Sequence, residues 1–192
     1  MRDARFGYDR RMHPQLAAAL GRLDSVTRDL HTMATSIPQA LRTRKPSPER
    51  WCIGEVLEHV SMVEQLFVER IVTNIERARA AGLASEVDAP DMLTDQLRDV
   101  IEDRRSRRNA PETVLPTGQV DATTSLQRIE DSHARLRDAC ASCDGLALST
   151  VTHDHRFFGT LNVYQWVDLI AGHERRHLAQ IREVAMEVAA TN

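Results

Sequence analysis

Apolar residues recur at three- and four-residue steps along four long stretches of this chain, the spacing that builds one buried helix face. The first stretch runs from about Pro14 to Thr35 and puts Leu16, Leu20, Leu23, Val26, Thr27 and Leu30 on one side. A proline in the first helical turn costs little, because its missing N–H has no partner there in any case. The second stretch runs from about Cys52 to Ala81, with Val56, Val60, Val63, Phe67 and Ile71 as its stripe, and Gly82 supplies a stop. The third spans about Ala122 to Ser142 through Leu126, Ile129, His133, Leu136 and Ala139. The fourth spans about Thr160 to Ala190 and carries Leu169, Ile170, Ile181, Val184 and Val188. At 1.5 Å per residue the second and fourth would each be roughly 45 Å long.

The connections decide how these helices are arranged. Pro38, Pro46 and Pro48 punctuate the loop between the first two. Between the second and third lie about 40 residues, with a short helical pattern from Asp91 to Arg108, a basic cluster that reads as a solvated face, and breaks at Pro111 and Pro116. Short links join antiparallel neighbours, whereas a link this long lets the chain cross the bundle and restart from the same end. The predicted fold is therefore all-α: one domain over residues 1–192, a four-helix bundle running up-down-down-up, with a long connection between helices 2 and 3. Two strand-like runs, Ser149 to Thr152 and Arg156 to Phe158, fall in the loop before the last helix and are too short for a sheet domain.

Polar residues inside the apolar stripes carry the candidate chemistry. His173 and His177 lie four apart, so they stack on one face of the last helix, in the row Ile170, His173, His177, Ile181, Val184. His59 follows Val56 by three and precedes Val63 by four, and so also points inward. Any one of these alone reads as a core histidine satisfied by a neighbour. Three in one core bury several ring nitrogens that need partners, and a shared metal ion satisfies one on each ring. His173, Glu174 and His177 have HExxH spacing, in which the glutamate of a zinc protease acts as base, but His59 lies upstream and argues against that chemistry. Glu174 is nonetheless the candidate catalytic group, with a surface partner for Arg175, Arg176 or Arg182 as the plainer alternative. Glu55, one turn before His59, is a candidate to orient it, and Trp51 and Trp166 are candidates to wall a pocket.

Composition narrows the partners. A formal net charge of −3 argues against a nucleic-acid partner, and no apolar run is long enough to span a bilayer. Three cysteines, an odd number, do not make a disulfide framework, which points to the cytoplasm. A small-molecule substrate is expected, and helix faces of this kind suit a homodimer. Cys140 and Cys143 form a CxxC that, with His153 and His155, is a weak match to a zinc site. Cys52 reads as a small buried residue.

Three segments together resemble the DinB-like family of four-helix-bundle metalloproteins: WCIGEVLEHV at Trp51 to Val60, HRFFGTL at His155 to Leu161, and WVDLIAGHERRHLAQI at Trp166 to Ile181. The resemblance implies a divalent metal held by His59, His173 and His177, with zinc or nickel foremost and iron or manganese as other options. It also implies kinship with thiol S-transferases that use bacillithiol, mycothiol or glutathione, and with mycothiol-dependent maleylpyruvate isomerases. A low-molecular-weight thiol is then a candidate cofactor. One departure is Arg156, where relatives often carry proline after the histidine. The expected function is a metal-dependent transferase or hydrolase. The alternatives are a metal-binding or regulatory bundle without chemistry, and a ferritin-like di-iron protein built on Glu130 with His133 and Glu174 with His177. The last lacks a glutamate in the first helix, which offers only Asp24 and Asp29.

Overall fold

The computed structural model describes residues 12–87, 90–106 and 108–190. Among the described residues six α-helices follow one another as α1 (Pro14–Ser36), α2 (Gln39–Arg42), α3 (Ile53–Ala80), α4 (Asp95–Glu102), α5 (Ala122–Ser142) and α6 (Val163–Ala190). The four long ones are the predicted stretches, and their ends have local causes. Cys52 opens α3 with a capping box in which a thiol replaces the usual hydroxyl: its backbone N–H donates to Glu55 Oε2 at 2.8 Å, and Glu55 N–H donates to Cys52 Sγ at 3.5 Å. Asp121 caps α5 by accepting from the N–H groups of Thr123 and Thr124. Asn162 and Gln165 exchange two hydrogen bonds of 2.9 Å at the start of α6.

Pairs of side chains between helices show the direction of each. Arg22 meets Asp168 and Thr27 meets Glu174, so α1 and α6 run parallel. Glu64 meets His133 and Glu69 meets Arg135, so α3 and α5 run parallel. Asp24 pairs with Arg137 and His31 approaches Glu130, so α1 and α5 are antiparallel. The topology is up-down-down-up, as the long second link requires.

Two corrections concern the segment before α6. Residues 160–162 are not its first turn but belong to the second strand of a hairpin, β1 (Thr152–His155) with β2 (Gly159–Asn162), in which His155 faces Gly159. Arg156 to Phe158, expected to be strand-like, form the turn. Gly159, at φ +73°, takes the left-handed conformation that closes it.

The core falls into two apolar blocks. One gathers Leu16, Leu20, Leu23, Val68, Ile71, Leu136, Trp166 and Ile170, and the other Leu30, Ile53, Val56, Val60, Leu126, Ile129, Ile181 and Val184. The long link between α3 and α5 is tied down rather than loose. Buried Asp168 accepts from Arg22 on α1 and Arg98 on α4, both at 2.7 Å. A Cβ on Gly172 would come within 2.9 Å of Ile101, so α4 lies against bare backbone of α6. Glu58 accepts from Thr117 N–H, Thr117 Oγ1 and Gly118 N–H at 2.6–3.0 Å. Arg176 donates to the carbonyls of Asp103 and Ser106. Among the described residues no helix is long and apolar enough to cross a membrane.

Candidate metal centre

Three imidazoles converge where α3 and α6 cross. His59 comes from α3, and His173 and His177 come from successive turns of α6. Their candidate ligand atoms all lie within 4.8 Å of one another. Ring centroids are 4.5 Å apart for His173 and His177, 5.0 Å for His59 and His177, and 5.7 Å for His59 and His173.

Each ring is prepared to offer a lone pair. His59 Nδ1 lies 2.7 Å from the carbonyl oxygen of Val114, which can only accept, so Nδ1 carries the proton and Nε2 is free. His177 Nδ1 lies 2.9 Å from Gln180 Oε1, which fixes the same tautomer. His173 Nδ1 is buried with no hydrogen-bond partner. An orphaned ring nitrogen beside two oriented imidazoles is what a shared cation would relieve. Burial lowers the pKa of all three, and for His173 and His177 the neighbouring rings add to the effect, so all stay neutral near pH 7. Neutral imidazole is the form that binds a first-row divalent ion.

The imidazoles open into a cavity of about 1000 Å³. Its walls include Trp51, Phe67, Phe158 and Trp166, and Trp51 lies 5.0 Å from the His59 ring. The crossing link supplies another wall through Arg104, Arg108 and Val114, and the hairpin supplies His155, Arg156 and Phe157. The charged lining is mainly cationic, with Arg50, Arg70, Arg104, Arg108, Arg156 and Arg176 against Glu49, Asp154 and Glu183.

The sequence matches the profile of the DinB superfamily across residues 22–181, a span that holds His59, His173 and His177. The chain belongs to the DinB superfamily. It is 29% identical over 146 residues to YuaE, an uncharacterized protein of Bacillus subtilis strain 168, covering 76% of this chain and 83% of that one. Its fold is similar to that of TT2238, a four-helix bundle protein whose crystal structure aligns with a TM-score of 0.56. That alignment has 20% identity and covers 88% of this chain and 98% of TT2238.

Other residues of this DinB-superfamily chain fall outside the cavity. Glu174 is fully buried and does not line it, so it is not a surface partner for the neighbouring arginines. Its carboxylate turns inward to Thr27, Glu64 and His133, because position 174 is rotated by about 100° from position 173. Glu55 does not orient His59, because it caps α3 and pairs with Lys45 at 2.8 Å. That role belongs to the Val114 carbonyl, a backbone atom that residue type cannot advertise. Cys140 and Cys143 are buried free thiols, and with His153 and His155 they form no candidate metal group among the described residues. Burial pushes the Cys140 thiol up to about 12, which leaves it unreactive. The di-iron set does not assemble either. His177 faces the cavity, and Glu130 is exposed beside His31, while His133 and Glu174 meet Glu64.

Proposed function

We propose that this chain binds a divalent first-row ion, zinc or nickel, through His59, His173 and His177, and uses it to transfer a low-molecular-weight thiol to a small electrophile. The observation that carries this reading is the set of three neutral, converging imidazoles, two of them oriented by hydrogen bonds, lining a cavity large enough for a small molecule. When bound, such an ion supplies Lewis acidity that makes a thiol or water acidic near neutral pH.

Two features favour a thiol over water as the nucleophile. Hydrolysis gains from a base beside the reacting water, and the one glutamate of the HExxH sequence is turned away into the core. A thiol, with a pKa of about 8.5, needs only a modest shift and no base. The reaction forms a bond from sulfur to an electrophilic carbon. The leaving group departs with its electron pair, and the thiol proton passes to solvent. The arginines of the lining suit a thiol or acceptor that bears carboxylates, and Trp51, Phe67 and Trp166 shield the reacting atoms from bulk water.

The test is elemental analysis of the purified chain and of His59→Ala, His173→Ala and His177→Ala, together with a panel of thiols offered with an electrophilic acceptor. Each variant should lose an ion and the thiol-consuming activity. An ion bound without turnover of any thiol would favour a non-catalytic bundle. Retention of every ion by all three variants would remove the histidine centre from consideration.

A further inference from the structure

At one level of the core each long helix contributes one polar side chain: Thr27 from α1, Glu64 from α3, His133 from α5 and Glu174 from α6. Buried apolar residues seal this layer on both sides, with Leu23, Val68, Leu136 and Ile170 in one block and Leu30, Val60, Ile129 and Leu178 in the other. Glu64 and Glu174 are 0% exposed and His133 is 1% exposed. None of the four lines the cavity.

The Thr27 hydroxyl and a hydrogen bond between the Glu64 and Glu174 carboxyls satisfy only part of the layer. With the carboxyls ionised, and so acceptors only, eight buried side-chain nitrogen and oxygen atoms among the described residues lack a hydrogen-bond partner, and four of them are here: both carboxylate oxygens of Glu64, His133 Nε2 and Glu174 Oε1. That concentration, in a layer closed to water, calls for something other than solvent.

The Thr27 hydroxyl fixes the state of His133. It lies 2.8 Å from Leu23 O, 2.9 Å from Glu174 Oε2 and 3.2 Å from His133 Nδ1. Its single proton goes to the carbonyl or to the carboxylate, so towards His133 it can only accept. Nδ1 therefore carries the ring proton, and the Nε2 lone pair faces the two glutamates. Nε2 is 2.8 Å from Glu64 Oε2 and 3.7 Å from Glu174 Oε1. The shorter contact lies off the line a ring N–H would take, so it is not a hydrogen bond donated by the ring. Two ligands about 2.1 Å from one ion, at angles between octahedral and tetrahedral, sit roughly 3.0–3.4 Å apart. The observed separations bracket that range.

We propose that Glu64, His133 and Glu174 form a second divalent-cation site, sealed in the core and distinct from the histidine centre. Two carboxylates and one neutral imidazole carry two negative charges, which one divalent ion offsets. The oxygen-rich donor set suits manganese(II), iron(II) or zinc. The Thr27 hydroxyl orients the imidazole, as an outer partner does in built metal sites. Because the layer joins all four helices, an ion here would clamp the bundle while the histidine centre serves the cavity.

The test compares ion content in chains refolded from urea with zinc and passed through gel filtration. The native chain should retain two ions. The His59→Ala/His177→Ala double variant should retain one, and adding Glu64→Gln should remove it while the helical circular dichroism persists. A native chain with one ion, lost entirely in the double variant, overturns the inference and leaves the histidine centre standing. Survival in Glu64→Gln or in His133→Leu of the ion that the double variant retains overturns it as well, because that ion would then be held by other residues. A double variant with as many ions as the native chain, each lost on Glu64→Gln, sustains the inner site and defeats the histidine reading. If Glu64→Gln does not fold, the ion count of native chain against double variant decides alone.

Discussion

Two polar clusters lie on adjacent faces of α6, and residues 173 and 174, neighbours in sequence, belong to different ones. The histidine cluster opens on a cavity of about 1000 Å³, and two of its rings are oriented by the Val114 carbonyl and Gln180. The Glu64, His133 and Glu174 cluster is sealed, and each of its charged members is at most 1% exposed. Exposure decides what each can do. An open cluster can exchange a substrate, so its residues can be lost at the expense of chemistry. A sealed cluster can exchange almost nothing, so its residues are lost at the expense of the fold.

Substitution should split the two accordingly. The largest effect is expected at His177. His177→Ala should abolish ion binding at the cavity and the associated activity, while stability to urea changes by only about 1 kcal/mol, since the side chain borders open space. Elemental analysis alongside urea unfolding checks this. A chain that keeps its full ion content, or that collapses on this substitution, breaks the contrast.

Glu64→Ala should do the reverse. Removing one member of this buried polar group leaves the others without their partner and costs about 3–5 kcal/mol. Burial holds the Glu64 and Glu174 carboxyls well above the usual range, and for Glu174 the nearby Glu64 charge adds to it, so neither tolerates an uncompensated charge. Replacing Glu64, His133 and Glu174 together by leucine should recover most of that loss. If the triple variant is as unstable as Glu64→Ala, the layer matters for its shape and not for its charges.

The sequence discloses these clusters unequally, for a physical reason. His173 and His177 share one stripe with Ile170 and Ile181, and the i, i+4 repeat makes them visible to any reading of helical faces. Thr27 and His133 also stand in their stripes, but each is one polar residue on its own helix, and single polar residues in a stripe are ordinary. Glu64 sits beside the row Val56, Val60, Val63 and Phe67, and Glu174 lies on the alternative row Ile170, Glu174, Leu178, Ile181. Only the relative heights of four helices put the four residues at one level, and height depends on tertiary packing. Topology was legible because the length of a link limits where the next helix can start. The Val114 carbonyl and the hairpin register were not, since backbone contacts leave no residue-type signal.

A smaller effect is expected where the link crosses α6. Gly172→Ala would bring a Cβ to 2.9 Å from Ile101 Cγ2, on a β-branched side chain that cannot swing away. Overpacking of this kind costs about 1–3 kcal/mol, and alanine returns roughly 1 kcal/mol of helix propensity. A net loss of about 1 kcal/mol in urea unfolding is therefore expected, reversed by Ile101→Ala in the same chain. The displaced link carries Arg104 and Val114, so the histidine cluster should loosen while the sealed layer does not. Equal weakening of ion binding at both sites would blur the distinction drawn above.

The smallest effect is a dependence on pH, and it sharpens the electrostatics of the cavity wall. His155 lies among Phe67, Phe158 and Trp166, and its pKa is pushed down to about 4. Burial is the main cause, and the positive charges of Arg108, Arg156 and Arg70 add to it. In the unfolded chain the same imidazole titrates near 6.5 or so. Below that pH the unfolded chain takes a proton that the folded one refuses, so the His155 contribution is intact above about pH 6.5 and is lost progressively down to about pH 4. The buried histidines of the cavity cluster act in the same direction, and Glu64 and Glu174, with raised pKa values, act in the opposite one, since their folded carboxyls keep protons that the unfolded chain releases. The wild type alone therefore cannot isolate His155, but the difference between wild type and His155→Gln in chelator can. Urea midpoints of the two should diverge at neutral pH and approach each other on acidification, because the variant has no such proton to refuse. A difference that stays constant from pH 7.5 to pH 4 would mean that neither burial nor the cavity arginines depress the His155 pKa, and the case for an anionic substrate drawn to those arginines would weaken with it.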